Sequence, residues 1–379
     1  MSKETKTPWS ARVNAKVFRK ALRLMMFVVE TRTTIPVLST IRLRVVDDKL
    51  TLVATDLDFE LAVDVEAETD GVGCILISPR FLDGLASISD STVTISHPGS
   101  GDIIAVEAWE AKAKYRCIIP VDDFPVMTGF APGQEVMTST GQMRAPLKHV
   151  MGCISTEVTR YYLNGVYFHP SRDRGGETLA MVATDGHRLA KYETALKWKD
   201  QDGIIPSKAV NLFMSLLPAN GNGEVRLGMN RDRVRFHLFG DGFRLSGKMI
   251  DGTFPDYQRV IPREGTGRIK ADLTATALRR MARLTKAGDD QHGSRAVKIA
   301  PSEGVMIYRG GIPDYAGGLT EVSLPVTGEG DPIGFNAKYL ADICAGFDVI
   351  RMEAADSGAP GRFFTEDPNL TKVLMPMRV

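Results

Sequence analysis

The residues best suited to catalysis lie in one short segment, Asp185-Gly186-His187-Arg188. A carboxylate close to an imidazole can work as a general acid and base, which would suit a hydrolase or transferase using Asp185 and His187. The same residues also suit a tight turn after a strand, because Gly186 tolerates backbone angles that other residues disfavour. The sequence leaves both interpretations open. An enzyme would show catalytic turnover that the substitution His187→Ala destroys, whereas a structural turn would not.

Other catalytic and cofactor motifs fail. Residues 242–248 have the glycine and lysine spacing of a phosphate-binding loop, but Met249 stands where serine or threonine must hold magnesium. Phe243 and Leu245 alternate with polar neighbours, which predicts a strand instead. The six histidines lack metal-ligand spacing, and the four cysteines form no CxxC pair. We therefore predict no catalytic residue, no cofactor, no metal site and reduced thiols.

Composition indicates a globular protein. The chain has 379 residues, 43% hydrophobic and 25% charged, which predicts two to three domains at about 150 residues each. Its net charge of +1 gives no global signal for nucleic acid. The apolar run at residues 24–29 is too short for a membrane span, and the first residues lack the apolar core of a signal peptide. We expect a cytoplasmic protein that does not contact membranes.

Several landmarks recur at a fixed spacing. The tetrapeptide VATD occurs at residues 53–56 and 182–185, and a Phe-Pro pair occurs at 124–125 and 254–255. Short helix signatures begin at Ser78, Pro206 and Asn336. Landmarks that keep the same order and spacing indicate three copies of one unit of about 130 residues.

One copy reads as helix, strands, helix, strands. Apolar residues over 17–29 recur at helical spacing, and residues 41–46, 50–54 and 59–65 are rich in strand formers. Ser78 and Pro79 predict the start of a second helix, and further strands are expected at 93–96, 103–108 and 115–119. The pattern predicts an α+β protein of three repeated domains, each with two helices packed on β-sheet. We expect domains at 1–130, 138–262 and 263–379, with boundaries in 129–141 and 262–267.

Basic side chains recur on the predicted helices, opposite their apolar stripes. One such face is usually just solvated, but repetition in three copies favours contact with backbone phosphates without base reading. The candidate DNA-binding residues are Lys16, Lys20, Arg23, Arg80, Lys148, Lys208, Arg279, Arg280, Arg283 and Lys338.

Four motifs carry a resemblance to a known family: TRYYLNG at 159–165, VATDGHRLA at 182–190, FPDY at 254–257 and MPMR at 375–378. Together they resemble the bacterial replicative sliding clamp, the β subunit of DNA polymerase III. The resemblance implies two chains closing head to tail as a ring around double-stranded DNA of any sequence, with helices lining the hole and no reaction of its own. It implies as partners the polymerase α subunit, an ATP-dependent clamp loader, and repair polymerases, ligase and mismatch-repair proteins.

The resemblance also assigns roles by position. It implies DNA contact by Arg32 and Tyr162, and ring closure by Tyr115 and Cys117 against Arg283 and Leu284, where apolar residues are usual. Residues 307–320 look looser than the family pattern. The implied pocket for partner peptides comprises Leu163, Thr184, Gly186, His187, Arg188, Leu189, Pro255, Arg259, Val260, Val373, Met375, Pro376, Met377 and Arg378.

Overall fold

The structure is a computed structural model that describes residues 7–46, 48–127, 132–171, 177–199, 201–232, 234–287, 296–310 and 320–378. Within these ranges it describes only the backbone at residues 132, 282, 284–287, 309, 310, 320 and 321. Most of the segment predicted to be looser, residues 307–320, lies outside the described residues.

The elements follow the three sequence copies. The first copy contains β1 (Trp9–Asn14), α1 (Ala15–Val28), β2 (Ile41–Val46), β3 (Lys49–Thr55), β4 (Phe59–Asp70), β5 (Gly73–Ile77), α2 (Pro79–Ala86), β6 (Thr92–His97), β7 (Ile103–Ala108) and β8 (Ala111–Arg116). The second contains β9 (Pro132–Ser139), α3 (Thr140–Val150), β10 (Gly165–Ser171), β11 (Thr178–Thr184), β12 (Arg188–Lys197), β13 (Gly203–Pro206), α4 (Ser207–Leu216), β14 (Glu224–Asn230), β15 (Arg235–Gly240) and β16 (Phe243–Lys248).

The third copy repeats this order with one long and one short helix. It contains β17 (Ile269–Thr274), α5 (Ala275–Ala287), β18 (Ala296–Ala300), β19 (Val305–Gly310), β20 (Thr320–Pro325), β21 (Thr327–Glu329), β22 (Ile333–Asn336), α6 (Ala337–Ile343), β23 (Val349–Ala354), β24 (Gly361–Phe364) and β25 (Leu370–Leu374). The α+β class is confirmed.

Local chemistry explains the helix starts. The Asn14 side chain accepts hydrogen bonds from the backbone N–H groups of Lys16 and Val17, and Asn336 caps α6 in the same way. Ser78 precedes α2 as predicted, but its side chain makes no capping bond, and Pro79 starts the helix. One residue of the predicted apolar stripe is misplaced, because Val17 is 52% exposed.

Two sequence-based boundaries differ from the structure. The last strand of the first copy is β8, at residues 111–116 rather than 115–119. The predicted linker at 129–141 contains β9 and the start of α3, because β9 pairs along its length with β14. A strand with a partner satisfies its backbone hydrogen bonds, so glycine and proline nearby do not make this stretch a loop.

Sheets join neighbouring copies. One 12-stranded sheet contains all strands of the first copy together with β9 and β14–β16, and its join is the antiparallel pairing of β4 with β16. A nine-stranded sheet joins the second and third copies by the antiparallel pairing of β12 with β25. We call these pairings the first junction and the second junction.

The described chain divides into two compact units rather than along the copies. The first comprises residues 1–144 and 211–249, and the second comprises 145–210 and 250–379. In the first unit α1 packs on α2, β3 and β4. In the second unit α5 packs on α6 and β17, over a core that includes Met281, Phe335 and Phe363. The three-domain division stays a prediction.

Candidate functional site

A cavity of about 290 Å³ lies at the second junction, within the second unit. It takes its walls from the end of β11, the following turn, the start of β12, the segment after Phe254 and the end of β25. The predicted pocket residues that line it are Leu163, Thr184, Gly186, His187, Arg188, Leu189, Pro255, Val260, Val373 and Met375. Three of these lining residues, Leu163, Leu189 and Val373, also belong to a buried hydrophobic cluster that includes Val182 and Ile204.

The turn between β11 and β12 is fixed by its own hydrogen bonds. The Asp185 carboxylate accepts the backbone N–H groups of His187 and Arg188, each at 3.0 Å. Thr184 Oγ1 accepts the Gly186 N–H at 3.1 Å and donates to the Arg188 carbonyl at 2.8 Å. Gly186 has a φ of 90°, which favours glycine. The segment therefore forms the tight turn that the sequence allowed.

Arg188 binds within the chain. Its Nε contacts Asp185 Oδ2 at 2.9 Å, its Nη1 contacts Asp342 Oδ2 at 2.8 Å, and its guanidinium lies 4.5 Å from the centre of the Tyr339 ring. The side chain is only 12% exposed. Arg188 thus pins the turn of the second copy to α6 of the third.

The geometry does not form an acid–base pair from Asp185 and His187. The Asp185 carboxylate is committed to the backbone of the turn and to Arg188, and among the described residues it has no hydrogen bond to the His187 ring. That ring instead stacks on Tyr339, with centroids 6.0 Å apart. Among the described residues, no group of three or more His, Cys, Asp or Glu is placed to hold a metal ion.

The C-terminal segment closes one side of the cavity. The Met375 N–H donates to the His187 carbonyl at 2.8 Å, and the Met377 N–H donates to the Gly334 carbonyl at 2.8 Å. Met375 and Val260 remain exposed at the mouth. Four predicted pocket residues do not line the cavity: Arg259, which pairs with Asp256 at 2.8 Å, and Pro376, Met377 and Arg378.

Four lining residues were absent from the predicted pocket: Arg160, Tyr162, Asp256 and Tyr257. All four lie inside the motifs TRYYLNG and FPDY, so these motifs were the available signal for them. Tyr162 was expected at DNA, but it is half-buried at the cavity, whereas Tyr161 packs edge-on against it at 5.8 Å and is exposed.

The basic helix residues are exposed in all three copies, with a few exceptions. Arg144 on α3 donates to the carbonyls of Met214 and Leu217, which gives it a structural role. Arg19 on α1 pairs with Asp83 at 3.3 Å. Lys208 is half-buried and has a partner. The exposed candidates are Lys16, Lys20, Arg23, Arg32, Arg80, Lys148, Arg279, Arg280, Arg283 and Lys338.

The candidate ring-closing residues lie on separate elements. Tyr115 lies on β8, the edge strand of the 12-stranded sheet, with its ring 4.9 Å from Phe81. Cys117 follows β8, and burial together with the charge of Asp102 raises its pKa to about 11, so it is a thiol at neutral pH. Arg283 is exposed on α5, and the side chain of Leu284 lies outside the described residues.

Comparisons with known proteins identify related chains. The model for the DNA polymerase III beta subunit, N-terminal domain, matches residues 10–128, and the model for its central domain matches residues 138–256. The beta sliding clamp of Caulobacter vibrioides is 34% identical, over 95% of this chain and 97% of its own length. That of Pseudomonas aeruginosa is 28% identical, over 97% and 99%.

Solved structures agree. A sliding clamp from Bartonella birtlesii, bound to griselimycin, has a TM-score of 0.87 and 29% identity, and covers 98% of this chain and 100% of its own. A beta sliding clamp from Caulobacter crescentus has a TM-score of 0.86 and 30% identity, and covers 99% and 100%.

Fold, junction cavity and basic helices together define a DNA clamp, a processivity factor of DNA replication rather than a catalyst. The chain belongs to the bacterial beta sliding clamp family, the beta subunit of DNA polymerase III. This membership rules against a hydrolase or transferase using Asp185 and His187. Among the described helices, none is long and apolar enough to cross a membrane.

Proposed function

We propose that two copies of this chain close head to tail into a ring around double-stranded DNA and tether the α subunit of DNA polymerase III. The observation that carries the proposal is the recurrence of exposed basic side chains on helices of all three copies, in a chain whose net charge is only +1. A nearly neutral protein with such faces can hold DNA through phosphates and still slide, because phosphate contacts carry no sequence information.

Exposed lysines and arginines on α1, α5 and α6 are the main candidates for phosphate contact. Arg32 extends this set beyond the helices, since it lies in an exposed loop after α1. The exposed ring of Tyr161 is a further candidate, because Tyr162 is half-buried at the cavity. Lys208 is the weakest member, since its side chain already has a partner within the chain.

The cavity at the second junction is our candidate for partner binding. It is lined by apolar side chains such as Leu163, Leu189 and Val373, and Met375 at its mouth can adapt to several ligand shapes. Such a site fits a short extended peptide with a glutamine and a Leu-Phe-like end. The proposed users are the polymerase α subunit, the ATP-dependent clamp loader, repair polymerases, ligase and mismatch-repair proteins.

For ring closure we propose contact between the β8 edge, with Tyr115 and Cys117, and α5 of a second copy, with Arg283 and Leu284. Because Arg283 is charged and exposed, we expect the dimer to weaken as salt rises. We propose a cytoplasmic location and no bound cofactor or metal.

The test is retention on DNA with a clamp loader and ATP present. We expect the chain to stay on nicked circular DNA and to slide off the same DNA once it is linearised. Equal loss from both forms, or a monomer at micromolar concentration and low salt, would contradict the ring.

A matched pair of variants tests the basic faces. Lys20→Glu with Arg23→Glu should reduce loading, whereas Lys49→Glu with Lys197→Glu makes the same charge change at exposed strand positions. Both variants should remain dimers by analytical ultracentrifugation. Equal loading by the two would show that net charge, rather than the helix face, matters.

A further inference from the structure

His169 lies on β10 behind the cavity and does not line it. Its ring makes two hydrogen bonds: Nδ1 lies 2.7 Å from the Pro170 carbonyl oxygen, and Nε2 lies 2.9 Å from the Tyr257 hydroxyl. Tyr257 is a buried residue of the cavity wall. His169 therefore touches the site through Tyr257.

The partners fix the direction of both hydrogen bonds. A carbonyl oxygen can only accept, so Nδ1 carries the proton and donates to Pro170. In the neutral imidazole Nε2 is then an acceptor, and the Tyr257 hydroxyl donates to it. The hydroxyl is thereby directed towards His169, which fixes the orientation of the Tyr257 side chain in the cavity wall.

An aromatic stack fixes His169 in turn. Its ring stacks on Tyr167 at 4.8 Å, and Tyr167 stacks on Phe254 at 4.9 Å. The Tyr167 hydroxyl donates to Asp202 Oδ2 at 2.9 Å. Phe254 immediately precedes the wall residue Pro255. The stack and the Tyr257 bond thus both link His169 to the 254–257 wall.

We propose that His169 is a positioning residue of the cavity, which holds the Tyr257 ring as an apolar wall for the bulky apolar end of a partner peptide. This inference rests on the proposed partner-binding function. It assigns to the second copy a polar support that the pocket motifs did not include.

The groups around His169 favour its neutral form. Burial lowers its pKa most, the Pro170 carbonyl raises it, Lys191 lowers it, and Asp202 and Glu193 raise it, with a net shift below the ordinary value of 6.5. The Tyr257 hydroxyl also lies against the ring, 2.9 Å from Nε2. At neutral pH Nε2 of His169 therefore accepts the hydrogen bond from the Tyr257 hydroxyl. In acid Nε2 is protonated and becomes a donor, so it can no longer accept this bond.

The experiment is calorimetric titration with a histidine-free peptide that carries a glutamine and a Leu-Phe end, from pH 8 to pH 5. For the parent chain we expect affinity to fall about three- to tenfold as the pH drops below the ordinary histidine value, the range of one hydrogen bond. His169→Gln can place an oxygen acceptor near the Nε2 position without titrating. This variant should bind the peptide with the parent's affinity at pH 7.5, and its affinity should decrease much less than the parent's as the pH drops.

Two further variants complete the test. His169→Phe removes the acceptor and should lower affinity at every pH, and Tyr257→Phe removes the donor and should flatten the pH profile. Thermal melts at each pH verify that every variant is folded. His187 lines the cavity in the parent chain and in every variant, so differences between the variants arise from His169 and Tyr257.

The outcomes separate the two proposals. If the parent chain fails to bind the peptide at pH 7.5, the proposed partner-binding pocket is wrong, and the proposed role of His169 is wrong as well. If the parent binds but His169→Gln keeps the parent's full pH profile, the positioning role of His169 alone is overturned. A parent profile that is flat with pH overturns it equally.

Discussion

The two strand junctions share a backbone and differ in side chains. At the first, the Asp56 carboxylate accepts the N–H groups of Asp58 and Phe59 at 3.0 and 2.6 Å, as Asp185 does at the second. The Lys248 N–H donates to the Asp58 carbonyl at 2.8 Å, the same bond and length as Met375 to His187. The turn and the strand that pairs beside it therefore have the same backbone structure at both junctions.

The side chains at equivalent register positions change the chemistry. Leu189 pairs with Val373 at the second junction, and the equivalent pair at the first is Glu60 with Ser246. Met375 corresponds to Lys248, whose Nζ binds Asp58 at 2.8 Å. The Glu60 carboxylate accepts the Met127 N–H at 3.1 Å. Polar groups thus occupy the first junction where the second has an apolar cavity.

Charged pairs differ in the same way. At the first junction Lys248 and Asp58 are 46% and 62% exposed. At the second, Lys191 and Glu193 are buried at 2.6 Å, and buried Lys372 donates to the Ile343 carbonyl. The same backbone therefore carries polar side chains at the first junction and apolar side chains at the second, and this difference supports our proposal that the second junction binds partners.

The largest expected effect comes from giving the second junction the side chains of the first. Leu189→Glu with Met375→Lys should lower peptide affinity at least a hundredfold, since two apolar contacts of about 1.5–3 kcal/mol each are lost. Calorimetric titration measures it. Met375→Lys alone, at an exposed position, guards against misfolding and should give a smaller loss. The reciprocal variant, Glu60→Leu with Lys248→Met, should leave peptide affinity unchanged. A large loss in that variant would show that the first junction also contributes to peptide binding.

Truncation tests the C-terminal wall of the second junction. Deleting residues 375–379 removes the Met375 contact and its bond to His187, so binding of the peptide and of the polymerase should be abolished. The melting temperature should change little, because β25 ends at Leu374. Undiminished affinity in the truncated chain would place the partner site elsewhere.

Removing one charge at each junction should separate buried from exposed pairing. Asp342→Asn removes the charge that faces the Arg188 guanidinium, which is 12% exposed although Asp342 itself is 47% exposed, and should cost about 1–2 kcal/mol in free energy of unfolding. Asp58→Asn breaks an exposed pair and should cost less than about 1 kcal/mol. Urea unfolding compares them, with Asp348→Asn at an exposed site as the control. Equal costs would mean that Arg188 does not stabilise the second junction.

The smallest effects concern the residue at the tip of each turn. Leu57 has a φ of 74° where the second copy has Gly186 at 90°. Leu57→Gly should relieve backbone strain in the folded state but raise the conformational entropy of the unfolded chain. The net change in free energy of unfolding should lie within about 1 kcal/mol. Gly186→Ala should be worse, because a φ of 90° strains any residue that has a Cβ. The added Cβ would also displace the flexible end of Arg160, whose Nη1 would lie 2.8 Å away. Thermal melts and peptide titration should show Gly186→Ala lowering both stability and affinity. A neutral Gly186→Ala would show that the turn tolerates a side chain in either copy.

Periodicity and repetition determine much of this protein at the level of sequence. Helical spacing predicted α1 and the exposed positions of Lys20, Arg23 and Arg279, because a helix face is set by local geometry. The repeated VATD tetrapeptide marks two equivalent turns, since Asp and Thr side chains bond to the backbone within a few residues, and Gly186 predicted the second of them. The motifs carried most of the pocket for the same reason: they mark turns and strand ends.

Tertiary structure decided the contacts between distant segments. Nothing near Arg188 in the sequence indicates its bond to Asp342, which lies 154 residues away. Likewise, nothing near Arg144 in the sequence indicates that it binds the carbonyls of Met214 and Leu217, at the end of α4 and just after it. His169 supports the cavity only because β10 lies beside the 254–257 segment. The spacing of side chains in the sequence depends only on local geometry. Contacts between distant residues depend instead on packing and desolvation between elements that come together on folding.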